Sequence, residues 1–281
     1  MSKVKALVFT GYGLNCDYET DYALRCAGAQ SHRVHINSFI LGQGSGANVS
    51  IDDYHIMVFC GGFSWGDDHG AGVIMASKMR RHFGEQIKRF IDDGKLILGI
   101  CNGFQVLVNL GLLPGFDGDY TKRKVALTYN DMGNFIDTWV TLRFSPSTPC
   151  VFTKGLQKMQ LPVRHGEGKF YASQEVLERL TENNQIVATY SNADGTPASG
   201  AWPSNPNGSL LDIAGICDPT GRIFGLMPHP EAYNHFTNYP HWTWLKEKAI
   251  RSQAMPLEEQ GEGISIFTNA VKYVEKTFDL S

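Results

Sequence analysis

The sequence predicts an α/β fold, with a mostly parallel central sheet flanked by helices and antiparallel strands added to it. Three observations predict it. Over the first 111 residues, short apolar runs alternate with segments of helical periodicity, the order expected where helices cover both faces of a parallel sheet. Glycine supplies 30 of 281 residues, about 11% against a usual ~7%, and clusters after the apolar runs, where strands end in tight turns. The second half carries more strand-like runs than helical ones.

In order, Val4 to Thr10 reads as a buried strand and Asp17 to Ala27 as a helix closed by Gly28. Arg33 to Ile36 and Ile56 to Cys60 are further strands. Between Ala71 and Asp93, the residues Ala76, Met79, Phe83, Ile87 and Phe90 recur at steps of three and four, the apolar stripe of a helix that Gly94 ends. Leu96 to Ile100 is a short apolar strand, and Asn102 to Leu110 a helix with Gly111 at its C-cap. Five strands follow: Trp139 to Phe144, Gln160 to His165, Ile186 to Tyr190, Leu210 to Cys217 and Arg222 to Met227. Ser191 to Ser209 is a surface loop rich in Asn, Gly, Pro and Ser, ending in the turn pair Asn207-Gly208. A last helix carries Ile264, Phe267, Val271, Val274 and Phe278. With no repeat, charge block or linker, residues 1–281 read as one domain with insertions near 41–50 and 232–263.

Composition narrows the function classes. The chain is 42% hydrophobic and 19% charged, which argues against disorder. Lys and Arg total 25 against 28 for Asp and Glu, a net charge of -3, so neither a nucleic acid nor an acidic membrane surface is an expected partner. No apolar run approaches a membrane span, and Met1-Ser2-Lys3 leads straight into the first strand without a signal peptide. The six cysteines (Cys16, Cys26, Cys60, Cys101, Cys150, Cys217) lie at least ten positions apart, neither a zinc set nor a secreted disulfide framework. A reducing cytoplasm is the expected compartment. His32 and His35 face opposite sides of a strand, and nothing completes a site with His235 and His241, so no metal is expected. Gly42-Gln43-Gly44-Ser45-Gly46-Ala47 matches a dinucleotide fingerprint but lacks the helix that must follow it, and reads as a surface loop.

Chemistry concentrates in three segments. Gly99-Ile100-Cys101-Asn102-Gly103 lies between a strand and a helix with the spacing of a nucleophile elbow, sulfur replacing the hydroxyl. The helix N-terminus favours thiolate over thiol there. A buried structural cysteine is the competing reading. In Pro228-His229-Pro230-Glu231 each proline pushes the residue before it towards extended backbone. Glu231 can then follow His229 to one side and hold its imidazole in one tautomer, leaving His229 to exchange protons with Cys101. Cys60-Gly61-Gly62 ends a strand, where a backbone amide can turn to a ligand. The amides of Gly62 and Asn102 are the expected oxyanion hole.

Cys101-Asn102-Gly103-Phe104-Gln105 together with Pro228-His229-Pro230-Glu231 resembles the class I (triad) glutamine amidotransferases. Gly61-Gly62-Phe63-Ser64-Trp65-Gly66-Asp67, Asn15-Cys16-Asp17 and His165-Gly166-Glu167-Gly168-Lys169-Phe170-Tyr171 are similar to one branch, the glutaminase subunits of phosphoribosylformylglycinamidine synthase. The resemblance implies a flavodoxin-like sheet and hydrolysis of L-glutamine, with Cys101 as nucleophile, His229 as proton carrier and Glu231 orienting it. It implies substrate contacts at Gln105 and around His165 and Gly166. It implies no cofactor in this chain, ATP and Mg on a separate synthetase subunit that receives the ammonia, and a small third subunit in bacterial and archaeal systems. An amidotransferase serving another acceptor, a peptidase-like relative and a non-catalytic scaffold subunit are the alternatives.

Departures from the family pattern are Gly11-Tyr12-Gly13-Leu14 in place of a shorter lead-in, and Asp68-His69-Gly70 where many members carry Tyr-Leu-Arg. Tyr233, Phe236, Tyr239, Trp242 and Trp244 place five aromatics in one insertion. A partner surface and packing on the chain's own domain both remain open for them.

Overall fold

The computed structural model describes residues 4–42, 49–253 and 258–280. Residues 43–48, which include Gly44 and Gly46 of the fingerprint-like run expected to be a surface loop, lie outside the described residues. The first strand, β1 (Lys5–Thr10), leads through α1 (Asp17–Cys26) to β2 (Gln30–His35) and α2 (Ile36–Leu41). Next come β3 (Ile56–Phe59), α3 (Val73–Asp92), β4 (Leu96–Ile100) and α4 (Asn102–Leu110). The second half adds β5 (Val125–Thr128), β6 (Ile136–Phe144), β7 (Lys158–His165), β8 (Lys169–Ala172), α5 (Gln174–Glu182) and β9 (Ile186–Ser191). It closes with β10 (Ile213–Cys217), β11 (Ile223–Leu226), α6 (Trp242–Arg251) and α7 (Ile264–Thr277).

Nine strands form one sheet in the order β2-β1-β3-β4-β11-β10-β9-β6-β7, and β5 pairs with β8 in a separate ribbon. From β2 to β11 every pairing is parallel; from β11 to β7 every pairing is antiparallel. The expected mixed sheet is therefore present, with its change of character at β11. Right-handed crossovers that leave β1 and β3 in opposite directions put α1 and α3 on opposite faces. There α1 packs with α7, and α3 with α4. Covered on both sides, β3, β4, β10 and β11 have every residue buried, which explains their unbroken apolar sequences. On α3 the buried stripe includes all five residues expected from its periodicity.

Local differences from expectation have physical causes. The second strand is Gln30–His35, a polar edge strand without clear alternation, and Ile36 opens α2 instead, with the His35 ring capping it by accepting from Asn37 N–H at 3.1 Å. Leu210 to Asp212 is a tight turn with Leu211 at φ 51°, so the strand begins only at Ile213. The helices α5 and α6 and the β5–β8 ribbon are additions to the expected set. In the aromatic insertion, Tyr233 and Tyr239 each stand edge-on to Trp139 at 5.2 Å, so these two pack on the chain's own sheet.

Strand direction decides where function can sit. The parallel strands β1, β3, β4 and β11 end at one edge of the sheet, and β9, two antiparallel reversals on, and β7, four on, end there too. The segments after β1, β3, β4 and β11 carry Cys16, Gly62, Cys101 and His229, and His165 is the last residue of β7, beside the point where the strand order reverses around β1 and β3.

Candidate active site

Cys101 occupies the single residue between β4 and α4, at φ 51° and ψ -106°. A non-glycine residue held there carries strain of order 1–3 kcal/mol, which the surroundings must impose. They do so by contact. A β-carbon on Gly103 would lie 1.8 Å from the Phe59 carbonyl oxygen, and one on Gly99 would lie 2.7 Å from the Gly103 oxygen. Cys101 N–H donates to Leu226 O at 2.8 Å, which fastens the elbow to β11. The Cys101 thiol lies 3.7 Å from the Arg164 carbonyl, its hydrogen-bond acceptor on β7.

His229 follows β11 and is fixed from behind by its N–H, which donates to Pro162 O at 2.8 Å. Its Nδ1 is 2.6 Å from Glu231 Oε1, and the two side chains are 2% and 0% exposed. The expected contact is made, though by another route: His229 is extended, but Pro230 to Ala232 form a short 3-10 turn that swings Glu231 back. Proline suits that first helical position, because its φ is preset and it has no N–H to leave unpaired. Burial disfavours charge on the ring, yet the charges of Glu231 and Cys101 hold its proton affinity well above the ordinary histidine value. Nε2 is buried without a hydrogen-bond partner among the described residues.

Cys16 lies against the same imidazole, its Sγ 3.9 Å from Nδ1, and donates to Asn15 Oδ1 at 3.4 Å. Burial, partly offset by a hydrogen bond to His229, pushes its pKa to about 11, so it stays a neutral thiol. Ligand atoms of Cys16, His229 and Glu231 all lie within 4.8 Å of one another. A zinc ion bound to nitrogen and oxygen at about 2.0–2.2 Å in tetrahedral geometry would hold those two atoms more than about 3 Å apart. At 2.6 Å, His229 and Glu231 share a hydrogen bond instead.

Gly62 sits at φ 138°, where a β-carbon would lie 2.6 Å from Gly13 O and 2.7 Å from Asn15 N. The turns after β1 and β3 are laced together by Phe63 N–H to Gly13 O at 2.9 Å and Cys16 N–H to Gly61 O at 3.3 Å. Asn102 opens α4, so its main-chain N–H has no acceptor within the helix. Its side-chain amide donates to Asp67 Oδ1 and to Gln105 Oε1, both at 3.1 Å, and accepts from Ser64 N–H at 3.4 Å. Gln105 donates in turn to Glu167 O at 2.6 Å, so both ends of its amide are engaged within the protein. Burial, reinforced by the charge of Glu167, pushes the Asp67 pKa to about 6.

His165 is buried and has no nitrogen to spare. Nδ1 bonds Asn130 Oδ1 at 3.1 Å, and Nε2 faces the Asn207 amide at 3.4 Å. Burial and the charge of His229 push its pKa down to about 3. Gly166 accepts from Asn130 N–H at 3.0 Å. The site thus joins Cys101, His229, Glu231, Gly62 and Asn102 at one sheet edge, with Gln105 behind them and His165 held in a separate polar network. Asp67 touches Asn102, Glu167 touches Gln105, and Cys16 lies against His229. Each stands inside a motif visible in the sequence, but only the folded chain shows what it faces.

The family description of a CobB/CobQ-like glutamine amidotransferase domain matches residues 3–274. Phosphoribosylformylglycinamidine synthase subunit PurQ of Methanococcus maripaludis is 46% identical over 272 residues, covering 97% of this chain and 98% of that protein. Its counterpart in Dehalococcoides mccartyi is 45% identical over 277 residues, covering 98% and 100%. Among solved structures, a chain of PurLQS from Thermotoga maritima superposes with a TM-score of 0.67 at 28% identity, covering 98% of this chain and all of that one. With a mixed sheet of the expected class and a match spanning nearly its whole length, the chain belongs to the CobB/CobQ-like glutamine amidotransferase family, alongside the PurQ subunits.

Proposed function

We propose that this chain is the glutaminase subunit of phosphoribosylformylglycinamidine synthase. It hydrolyses L-glutamine and passes ammonia to an ATP- and Mg-dependent synthetase subunit. One observation carries the chemistry: a buried imidazole with Glu231 on one nitrogen and the other unpartnered, interacting with a cysteine on a strained elbow.

Cys101 attacks the side-chain carboxamide carbon of glutamine as a thiolate, its proton having passed to His229. The amides of Gly62 and Asn102 receive the developing oxyanion, a task worth about 2.7–4 kcal/mol of barrier per donor. His229 Nε2–H then gives its proton to the departing nitrogen as the carbon–nitrogen bond breaks, which leaves a γ-glutamyl thioester and ammonia. In the second half His229 takes a proton from water, whose oxygen attacks the thioester and expels the Cys101 thiolate with glutamate. Glu231 fixes the tautomer and balances the imidazolium throughout.

The full-length likeness to PurQ proteins and to a chain of PurLQS supports a synthetase partner. Cys101→Ser should abolish glutamine-dependent synthesis by the reconstituted complex while ammonia-dependent synthesis continues. Loss of both activities together would make Cys101 a structural residue and end this reading.

A further inference from the structure

His229 is useful only while its ring stays aligned between Glu231 and Cys101. Its N–H on Pro162 O fixes the backbone, and the 2.6 Å contact with Glu231 fixes one edge of the ring. Two glycines from separate elements press on this couple. On the turn after β3, a β-carbon on Gly61 would lie 2.7 Å from His229 Cε1, 3.2 Å from Nδ1 and 3.1 Å from Cys16 Sγ. At the start of α7, a β-carbon on Gly263 would lie 2.0 Å from Pro230 O and 2.8 Å from Tyr233 O. Pro230 stands between His229 and Glu231, and its carbonyl accepts the Tyr233 N–H at 3.1 Å, the bond that closes the turn carrying the carboxylate.

Backbone conformation does not call for glycine at either place. Gly263 has φ -58° and ψ -28°, ordinary helical values, and Gly61 lies outside the positive-φ region. Alanine can adopt both conformations, so what the missing side chains provide is closeness to the couple. Each glycine is anchored in turn: Gly61 O accepts the Cys16 N–H at 3.3 Å, and Gly263 N–H donates to Tyr233 O at 3.1 Å. Gly61, His229, Glu231 and Gly263 are all buried, so an added methyl has to displace the ring or the turn.

We propose that Gly61 and Gly263 are positioning residues that grip the His229–Glu231 couple, one against the imidazole ring and the other against the turn that holds the carboxylate. The inference rests on the reading of this chain as a glutaminase and adds what keeps its proton carrier aligned. Gly61 limits how far the ring can tilt about its contact with Glu231. Gly263 fixes the turn and therefore where the carboxylate meets Nδ1. The insertion that leaves the sheet after Glu231 thus returns to the same turn, and α7 begins in contact with the active site.

The test uses the full chain with its synthetase, as wild type, Gly61→Ala and Gly263→Ala. Each variant should lower glutaminase kcat by about 10- to 100-fold while KM for glutamine stays within about threefold, because a misplaced proton carrier harms the reacting step and not the binding of substrate. Alkylation of Cys101 by iodoacetamide at neutral pH needs the imidazole but no glutamine, and should slow by about threefold or more in both. Folded variants with wild-type kcat and alkylation rate, whatever their urea midpoint, would make the glycines merely structural and overturn the proposal. A raised KM with kcat intact would make them space for substrate and overturn it too. Should Gly61→Ala fail to fold, Gly263→Ala decides by the same measurements. If the wild-type complex hydrolyses no glutamine, the glutaminase reading fails instead, and the alkylation rates still judge the grip on the ring.

Discussion

Two histidines, His165 at the end of β7 and His229 after β11, are each 2% exposed at the same edge of the sheet, yet their surroundings push their proton affinities in opposite directions. His165 spends one nitrogen on Asn130 and the other on Asn207, both neutral amides. Its charged form gains nothing to offset desolvation, and the positive His229 nearby opposes it further. His229 spends one nitrogen on a carboxylate and keeps the other free for a thiol. Burial pushes both rings towards neutrality, and the charge of the partners decides which one yields. A buried histidine is therefore no indicator of function by itself; an unspent nitrogen backed by an acid is.

The largest effect that can break this contrast is on catalysis. His229→Asn should lower glutaminase kcat by about 10²–10⁴-fold, and Glu231→Gln should follow it in the same direction, while circular dichroism stays native. His165→Asn should leave kcat/KM within a few-fold. A large catalytic loss there with native stability would put His165 into the chemistry and dissolve the distinction.

A second effect is on stability, with the order reversed. His165→Asn removes an anchor shared by Asn130 and Asn207 and should cost about 1–3 kcal/mol, read as a lowered midpoint in urea. Asn207 also bonds Gly168 O at 2.9 Å and the Tyr190 hydroxyl at 3.2 Å, so the loss should spread into the loop before β10.

Protonation gives the sharpest version. The depressed pKa of His165, about 3, means that its stabilising neutral state is present above the unfolded value of 6.5 and is lost as pH falls towards 3. The raised pKa of His229 works the other way: its contribution is present below 6.5 and is lost as pH rises through the folded value. Melting curves against pH should flatten on the acid side in His165→Asn and on the alkaline side in His229→Asn. Identical profiles for the two variants would contradict the assignment.

The smallest effect concerns Cys16. With its thiol held near pKa 11, iodoacetamide at neutral pH should label Cys101 and spare Cys16. Cys16→Ala should loosen the imidazole without removing a reacting group, so kcat should fall by less than about tenfold and Cys101 labelling should persist. Equal labelling of both cysteines would refute the neutral thiol.

What could be read in advance depended on how local the cause was. The elbow was legible because Gly99, Cys101 and Gly103 fall within five residues and the strain they relieve is local. His229 and Glu231 were legible as a pair, although Pro230 joins them through a turn and not through extended backbone. Gln105 was assigned to substrate by likeness, and its engagement with Glu167 lies 62 residues away, beyond any local pattern. The same holds for Asn130 and Asn207, which meet His165 across 35 and 42 residues. The helix α5, by contrast, does carry a signal: Ser173 caps Val176 N–H, and Leu177 and Leu180 recur at helical spacing. The β5–β8 ribbon has only four residues per strand, too few for alternation to declare itself.

Ile100 and Leu226 are matched across the parallel β4–β11 pair, one residue before the nucleophile and three before the imidazole. The alignment of two adjoining chain segments therefore sets the reach from sulfur to ring. A slip of one position would carry the histidine about 3.3 Å along the sheet and turn its strand's side chains to the other face. Fidelity of strand registration during folding is thus a condition of turnover, and a misregistered molecule would keep every functional group and have no enzyme.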